Sequence, residues 1–370
     1  MWRILRRGVL VLVVVVVIVL VVVGVFVHRK LDEVSSAMAT SRALDGAPRS
    51  TGGGTNVLLM GLDTRKDRNG RQLPPQILDK LHAGDGDEGG YNTNTLILVH
   101  VPADGGPVRG FSIPRDDAVP VPGQGVRKIK EAYGLAKADA ETELARQGVT
   151  DRAVLESHGR EAGRRATLEV VRSLTGVPVD HFAEVSLAGF YDIAETLGGV
   201  RVCLNHPVHD EEYSGAVFPA GPQTLDGAQS LAFVRQRHGL PNGDLDRTRR
   251  QQAFLASAAR EIRDPRTLLD LTRVRNLADA AERDVVLDAG WDGLALGDQL
   301  RRMTAEGTRF DTLPIEGYAT LDGQDVNVVD TQRIRALVRT AFAGGATPGG
   351  AVPVHPQSAA PGPPAEDCVD

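Results

Sequence analysis

Asn56-Val57-Leu58-Leu59-Met60-Gly61-Leu62-Asp63 decides how the chain folds: its apolar run is too short for a packed helix, is stopped by a glycine, and is soon followed by a carboxylate. Thr95-Leu96-Ile97-Leu98-Val99-His100-Val101 and Val108-Arg109-Gly110-Phe111-Ser112-Ile113 are similar, and all three read as buried or half-buried strands. Residues 66–90, between the first two, are polar and rich in Gly and Asp. A connection of that length in a compact domain predicts a loop at a functional edge. Apolar residues then recur at helical spacing over Lys128–Gln147, Arg160–Leu174 and Leu187–Leu197, the last closed by Gly198-Gly199 before a strand at Val200–Leu204. Further helices are expected at about 246–263, 266–284 and 330–342, with a strand near 310–315. The alternation predicts an α/β domain whose helices cover both faces of a sheet.

From Gly8 to Val27 every residue is Gly or apolar, a run of about 20 that matches the thickness of a bilayer core. A cleaved signal peptide is the other reading, but its apolar stretch is normally about 7–15 residues, and Ser36-Ala37-Met38-Ala39 is a weak cleavage signal. Arg3, Arg6 and Arg7 precede the run, whereas Arg29 and Lys30 are diluted by Asp32 and Glu33. The positive-inside rule therefore predicts a cytoplasmic tail at 1–7, a transmembrane helix at 8–27 and an extracytoplasmic remainder, which places the protein in the cell membrane as a single-pass chain. Composition predicts a flexible stalk over 28–55, a globular domain over 56–343 and a Pro/Gly/Ala-rich tail over 344–370. Cys203 and Cys368 are the only cysteines. They either pair, stapling the tail to the domain, or remain one core thiol and one tail thiol. The net charge of −6 on 370 residues offers no global basic field for nucleic acid, so an anion site must come from clustered arginines.

Such a cluster lies in Leu231-Ala232-Phe233-Val234-Arg235-Gln236-Arg237-His238 and Asp244-Leu245-Asp246-Arg247-Thr248-Arg249-Arg250-Gln251-Gln252. If 231–237 is a strand, Arg235 and Arg237 share a face; if a helix starts near Asp244 or Asp246, Arg247 and Gln251 share one too. Guanidinium forks match phosphate oxygens two at a time, so this convergence suits a pyrophosphate; a solvated basic helix start is the plainer alternative. Arg115, in Ser112-Ile113-Pro114-Arg115-Asp116-Asp117, leaves a strand end where α/β folds place ligand groups, or else it pairs with its neighbouring carboxylates. Asp63 is a carboxylate able to hold Mg²⁺, and Asn94 could add a carbonyl oxygen; ordinary turn chemistry also favours such residues. GxxxxGK[ST], HExxH, GxSxG and CxxC pairs do not occur, and His206 with His209 falls short of a zinc site.

Taken in order, Leu58 to Arg65, Asn94-Thr95, Ser112 to Asp116, Lys128 to Tyr133, Asp180 to Gly199 and Gln229 to Gln252 resemble the LytR-CpsA-Psr family over roughly 56–263. The resemblance implies a three-layer α/β/α domain around a mixed central sheet, with a hydrophobic groove beside an arginine-lined pyrophosphate site. It also implies Mg²⁺-assisted transfer of a glycopolymer from a polyprenyl-pyrophosphate carrier to peptidoglycan, with release of polyprenyl phosphate and some pyrophosphate hydrolysis. By position, Arg115, Arg235, Arg237, Arg247 and Gln251 match the family's pyrophosphate ligands, Lys128 assists them, and Asp63 matches a carboxylate near the metal. Of these, Arg115, Asp63, Arg237 and Arg247 are expected to be catalytic. Two departures stand out: the family's Asp-Thr before the second strand is Asn94-Thr95 here, and its Lys-Ile-Asn is Lys128-Ile129-Lys130, which adds one more positive charge near the expected phosphates. The missing aspartate favours a second reading, a scaffold that binds the glycolipid without turning it over. A stalked adhesion domain would explain the anchor but not the arginines. High Ala, Arg, Val and Gly with little Lys fits a GC-rich, actinobacterial source.

Overall fold

The run at 56–63 becomes the central strand of a seven-stranded mixed sheet. The computed structural model describes residues 39–52, 54–84, 90–303, 308–344 and 368–370. The sheet's strands are β1 (Ala39–Ser41), β2 (Gly54–Asp63), β3 (Asn92–Pro102), β4 (Arg109–Ser112), β5 (His181–Ser186), β6 (Val285–Asp288) and β7 (Arg309–Thr312), in spatial order β1-β6-β5-β2-β3-β4-β7. β2 is antiparallel to β3 and parallel to β5, while β1 with β6 and β4 with β7 are parallel pairs. The helices are α1 (Pro75–Lys80), α2 (Ala132–Arg146), α3 (Arg152–Thr175), α4 (Leu187–Thr196), α5 (Gly227–Arg235), α6 (Asp244–Arg263), α7 (Pro265–Leu269), α8 (Leu271–Asp284), α9 (Gly293–Met303) and α10 (Thr331–Phe342).

Period-two alternation sorts the two faces of β2. Leu58 and Met60 join Leu96, Leu98 and Phe111 in a core closed by Leu168 and Val171 of α3 and Ile334 and Val338 of α10. Val57 and Leu59 point the other way, toward Ile193 of α4, Leu255 of α6 and Leu296 of α9. Helices therefore cover both faces of the sheet, as the alternation predicts.

Several boundaries differ from the sequence reading. The segment expected as a stalk to residue 55 enters the fold at Ala39: β1 extends the sheet beside β6, and Ala43 and Leu44 are buried in the core. The expected loop at 66–90 carries α1, whose Leu78 packs into a second core with Leu81, Phe233 and Phe254. The helix expected at 266–284 is broken, because Asp270 leaves helical geometry to cap α8 through the backbone N–H groups of Thr272 and Arg273. Cys203 and Cys368 form a disulfide, and Val369 bridges Leu204, so the end of the tail is docked. The expected transmembrane helix at 8–27, the cytoplasmic tail at 1–7 and most of the tail at 344–370 lie outside the described residues. Among the described residues, no helix is long and apolar enough to cross a membrane.

Candidate functional site

The site forms where β2 ends and β3 begins. Their register slips between Gly61, opposite Thr95, and Leu62, opposite Thr93, which leaves Asn94 as the extra residue of a β-bulge. Bulges re-aim side chains, and here Asn94 Nδ2 donates to Asp63 Oδ2 at 2.7 Å. Glycine is required at 61, since a Cβ there would stand 2.9 Å from Thr95 Cβ. Arg65 Nη1 clamps the other Asp63 oxygen at 2.7 Å. Asn94 Oδ1 is buried without a hydrogen-bond partner.

The strand expected at 231–237 is instead helical. Asp226 and Gln229 form a reciprocal capping box that starts α5, and Leu231 and Val234 fall one turn apart on its buried side. The spacing Asp226-x-x-Gln229 was the available signal. Arg235 consequently ends a helix, donating to the carbonyls of Leu81 and His82 at 2.7 and 3.2 Å, while Arg237 stands exposed on the loop beyond. α6 begins at Asp244, so Arg247 and Gln251 do share a face, and Gln252 Nε2 ties the helix to Ser112 Oγ of β4 at 2.9 Å. Arg115 is buried just beyond that strand.

Two carboxylates that the sequence reading left out of the site hold these cations in place. Asp244 reaches Arg115 Nε and Arg247 Nη2 at 3.0 Å each. Asp116 meets Lys130 Nζ at 2.7 Å, Arg115 Nε at 3.4 Å and Lys128 Nζ at 3.5 Å. Lys128 stays behind Asp116, at the end of a short strand; the turn at Ile129–Glu131 delivers Lys130, not Lys128, to the cavity wall. Burial first and then the Arg115 charge push Arg247 down to about 10, and the same two causes lower Lys130. Burial also lowers Arg235. Burial works against the charge of Asp116, but Lys130, Arg115 and Lys128 outweigh it and hold its carboxyl below the usual range. The depressed cations mark a site with surplus positive charge, which an anion would relieve.

Asp63, Asn94, Arg115, Lys130, Arg235, Arg237, Arg247 and Gln251 all line one cavity of about 630 Å³. Much of its remaining wall is apolar: Leu59, Ala183 and Val185 from the sheet, Phe190 and Ile193 from α4 with Leu197 just beyond it, and Phe254, Leu255, Ala258 and Ile262 from α6; Asp210, Ser214 and His238 are among the polar residues that complete it. One end takes several negative charges and the other takes hydrocarbon. The hard oxygen donors that a divalent cation at the polar end would use are the Asp63 carboxylate, already holding Arg65 and Asn94, and the orphaned Asn94 Oδ1. No group of three His, Cys, Asp or Glu ligands occurs among the described residues, so the protein supplies few ligands of its own.

The LytR_cpsA_psr family model matches residues 22–342. The cell wall biosynthesis protein LcpA of Corynebacterium glutamicum is 41% identical over 292 residues, which cover 78% of this chain and 56% of that protein. This chain therefore spans little more than half the length of that relative. The polyisoprenyl-teichoic acid–peptidoglycan teichoic acid transferase TagU of Oceanobacillus iheyensis is 26% identical over 283 residues, 76% of this chain and 73% of that protein. The solved LytR-Csp2A-Psr enzyme from Actinomyces oris superposes with a TM-score of 0.55 at 19% identity, covering 83% of this chain and 96% of the other, a likeness of fold.

Proposed function

Since this chain belongs to the LytR-CpsA-Psr family, we propose that it is a single-pass, extracytoplasmic transferase that moves a cell-wall glycopolymer from a polyprenyl-pyrophosphate carrier onto peptidoglycan. One observation carries the reading: a single cavity joins a cation-rich end to an apolar body, the profile of a lipid whose head is a pyrophosphate. TagU is named for the same class of transfer, and LcpA for cell wall biosynthesis.

In the proposed reaction the acceptor hydroxyl attacks the sugar-proximal phosphorus, a new O–P bond forms, and the bridging P–O bond breaks. Polyprenyl phosphate leaves with the electron pair. The hydroxyl proton passes to Asp63, a carboxylate that lines the cavity. The buried Arg115 and Arg247 and the half-buried Lys130, already aimed by Asp244 and Asp116, meet the phosphate oxygens without reorganising, and Arg237 closes over them from the loop. Mg²⁺, held by Asp63 and Asn94, would supply further neutralisation of phosphate charge. The apolar wall orients the tail and excludes water from the reacting end.

The amide at Asn94 favours a second reading, a protein that grips the glycolipid without turning it over, because an amide brings no negative charge to a metal. Turnover of a short-chain polyprenyl pyrophosphate by the purified full chain, with and without Mg²⁺, separates the two. The transferase reading expects Mg²⁺-dependent release of polyprenyl phosphate that Arg237→Ala abolishes without changing the melting curve. Binding without release, with release appearing only in Asn94→Asp, would establish the scaffold instead.

A further inference from the structure

The apolar end of the cavity reaches the surface beside an unusual patch. Ile262 lines the cavity and is also 40% exposed. Immediately beyond it the chain makes the short α7 and turns into α8, and the two leucines flanking that turn, Leu269 and Leu271, are each 81% exposed. Val274, one turn into α8, is 40% exposed. Two leucines this far exposed within three residues, with Leu300 next at 49%, form a patch that calls for a partner surface.

Charge identifies the partner. Between residues 260 and 275 the chain carries five arginines (Arg260, Arg263, Arg266, Arg273, Arg275) against three acids, Glu261, Asp264 and Asp270. Asp264 and Asp270 are engaged in capping α7 and α8 through backbone N–H groups, and Asp270 also lies 3.9 Å from Arg273 Nε, which leaves the arginines in excess. Apolar side chains at the tip of a helical turn, with arginines around them, match the layered chemistry of a bilayer interface whose headgroups are anionic. A protein partner would more usually meet a flatter patch with an aromatic centre.

We infer that the α7–α8 turn, with Leu269 and Leu271 at its tip, docks into the surface of the membrane and delivers the lipid tail of the substrate to the cavity at Ile262. The inference rests on the proposed lipid-linked donor. α6 supplies the scale: Arg247 at the cation-rich end and Ile262 at the apolar end are 15 residues apart, so the helix spans about 22 Å between them. A tail entering at Ile262 would run along α6 toward the arginines without crossing water, and the reacting phosphates would stand off the bilayer, where a wall acceptor can reach them.

The test uses the full chain reconstituted into vesicles of phosphatidylcholine and phosphatidylglycerol, with a polarity-sensitive fluorophore on Leu269→Cys; the native cysteines are already paired. The control carries the label on Tyr318→Cys, a residue 70% exposed on the hairpin strand Gly317–Leu321. Brominated lipids should quench the Leu269 label several-fold more strongly than the control, and the difference should grow with the phosphatidylglycerol fraction. Equal quenching at the two positions would overturn the docking surface and leave the patch to a protein partner. The double variant Leu269→Asp with Leu271→Asp should then turn over a long-chain donor embedded in vesicles about tenfold more slowly, since two apolar contacts with the bilayer are lost. Its turnover of a short-chain donor in solution should be unchanged, because neither leucine lines the cavity. An equal loss on both substrates would overturn the inference. Failure of the wild type to turn over either substrate would strike the transferase reading alone, because quenching is read without turnover.

Discussion

Asp244 is the residue whose removal should be most informative, because it carries the only carboxylate shared by Arg115 and Arg247 among the described contacts. In Asp244→Asn the shape and an acceptor oxygen remain, but two guanidinium groups lose a counter-charge 3.0 Å away. Breaking a buried ion pair by neutralising one partner costs about 3–5 kcal/mol. The Asp244 side chain keeps 22% of its exposure, so the low end, about 3 kcal/mol, is expected. For a domain of this size that corresponds to a fall in Tm of about 6–12 °C. Pyrophosphate should restore much of it, since charge-assisted hydrogen bonds are worth about 1.5–3 kcal/mol and the ligand's oxygens would replace the lost carboxylate. The variant should therefore bind a short-chain polyprenyl pyrophosphate about tenfold more tightly than the wild type, an extra stabilisation of about 1.4 kcal/mol. Calorimetric melts of both proteins, free and saturated with that probe, give both numbers. An equal Tm loss in the free and saturated forms would refute the account, because it would mean that Asp244 supports the fold but not the charge balance of the site.

The carboxyl of Asp284 is raised from 3.8 to about 6, by burial and then by the nearby charge of Asp192, with Arg283 opposing. A folded-state value above the unfolded one means that the native protein binds more protons across pH 3.8 to 6, so this group costs stability as pH rises through that window. The ceiling is about 3 kcal/mol at 1.36 kcal/mol per unit. Asp284→Asn should thus be more stable than the wild type by about 2 kcal/mol at neutral pH, with the gain gone below about pH 4; a gain that persists in acid would exclude the assignment. The Cys203–Cys368 bridge joins residues 165 apart, and a loop of that length predicts up to about 5 kcal/mol of stabilisation. Cys203→Ala with Cys368→Ala should lower the urea midpoint accordingly, and an unchanged midpoint would show that the docked tail contributes nothing. Arg237, exposed and at the cavity mouth, should be dispensable for stability and required for turnover, with the Arg237→Ala melting curve and product release read on the same preparation.

Much of the site was legible because its chemistry is local. Asp63 follows its strand directly, Arg247 and Gln251 are one helical turn apart, and Arg115 lies just past a strand end; periodicity alone puts these side chains on defined faces. Arg235 and Arg237 reached the same cavity by a different route, since a capping box turned the supposed strand into a helix and so changed their directions and burial. The period-two and helical readings of Leu231 to Arg237 differ little over seven residues, and the distinction lay upstream, in Asp226 and Gln229. Lys128 is expected to assist the phosphate ligands and Lys130 only to add charge nearby; their places are exchanged because a single 3-10 turn decides which of two lysines faces inward.

By itself the sequence determined the α/β class, the two helix-covered faces, the membership of the arginine cluster and the family resemblance, all of which follow from spacings within a few turns of chain. Only the tertiary structure decided that Asn94 is the extra residue of a bulge beside Asp63, that Asp244 and Asp116 organise the cations, that residues 39–44 belong to the core, and that the two cysteines pair. Apart from the contacts of Asp116, which are nearer in the chain, these depend on the register of one strand against another or on segments more than a hundred residues apart meeting in space. Such meetings are settled by the burial of the whole core and leave little trace in any local stretch of the chain.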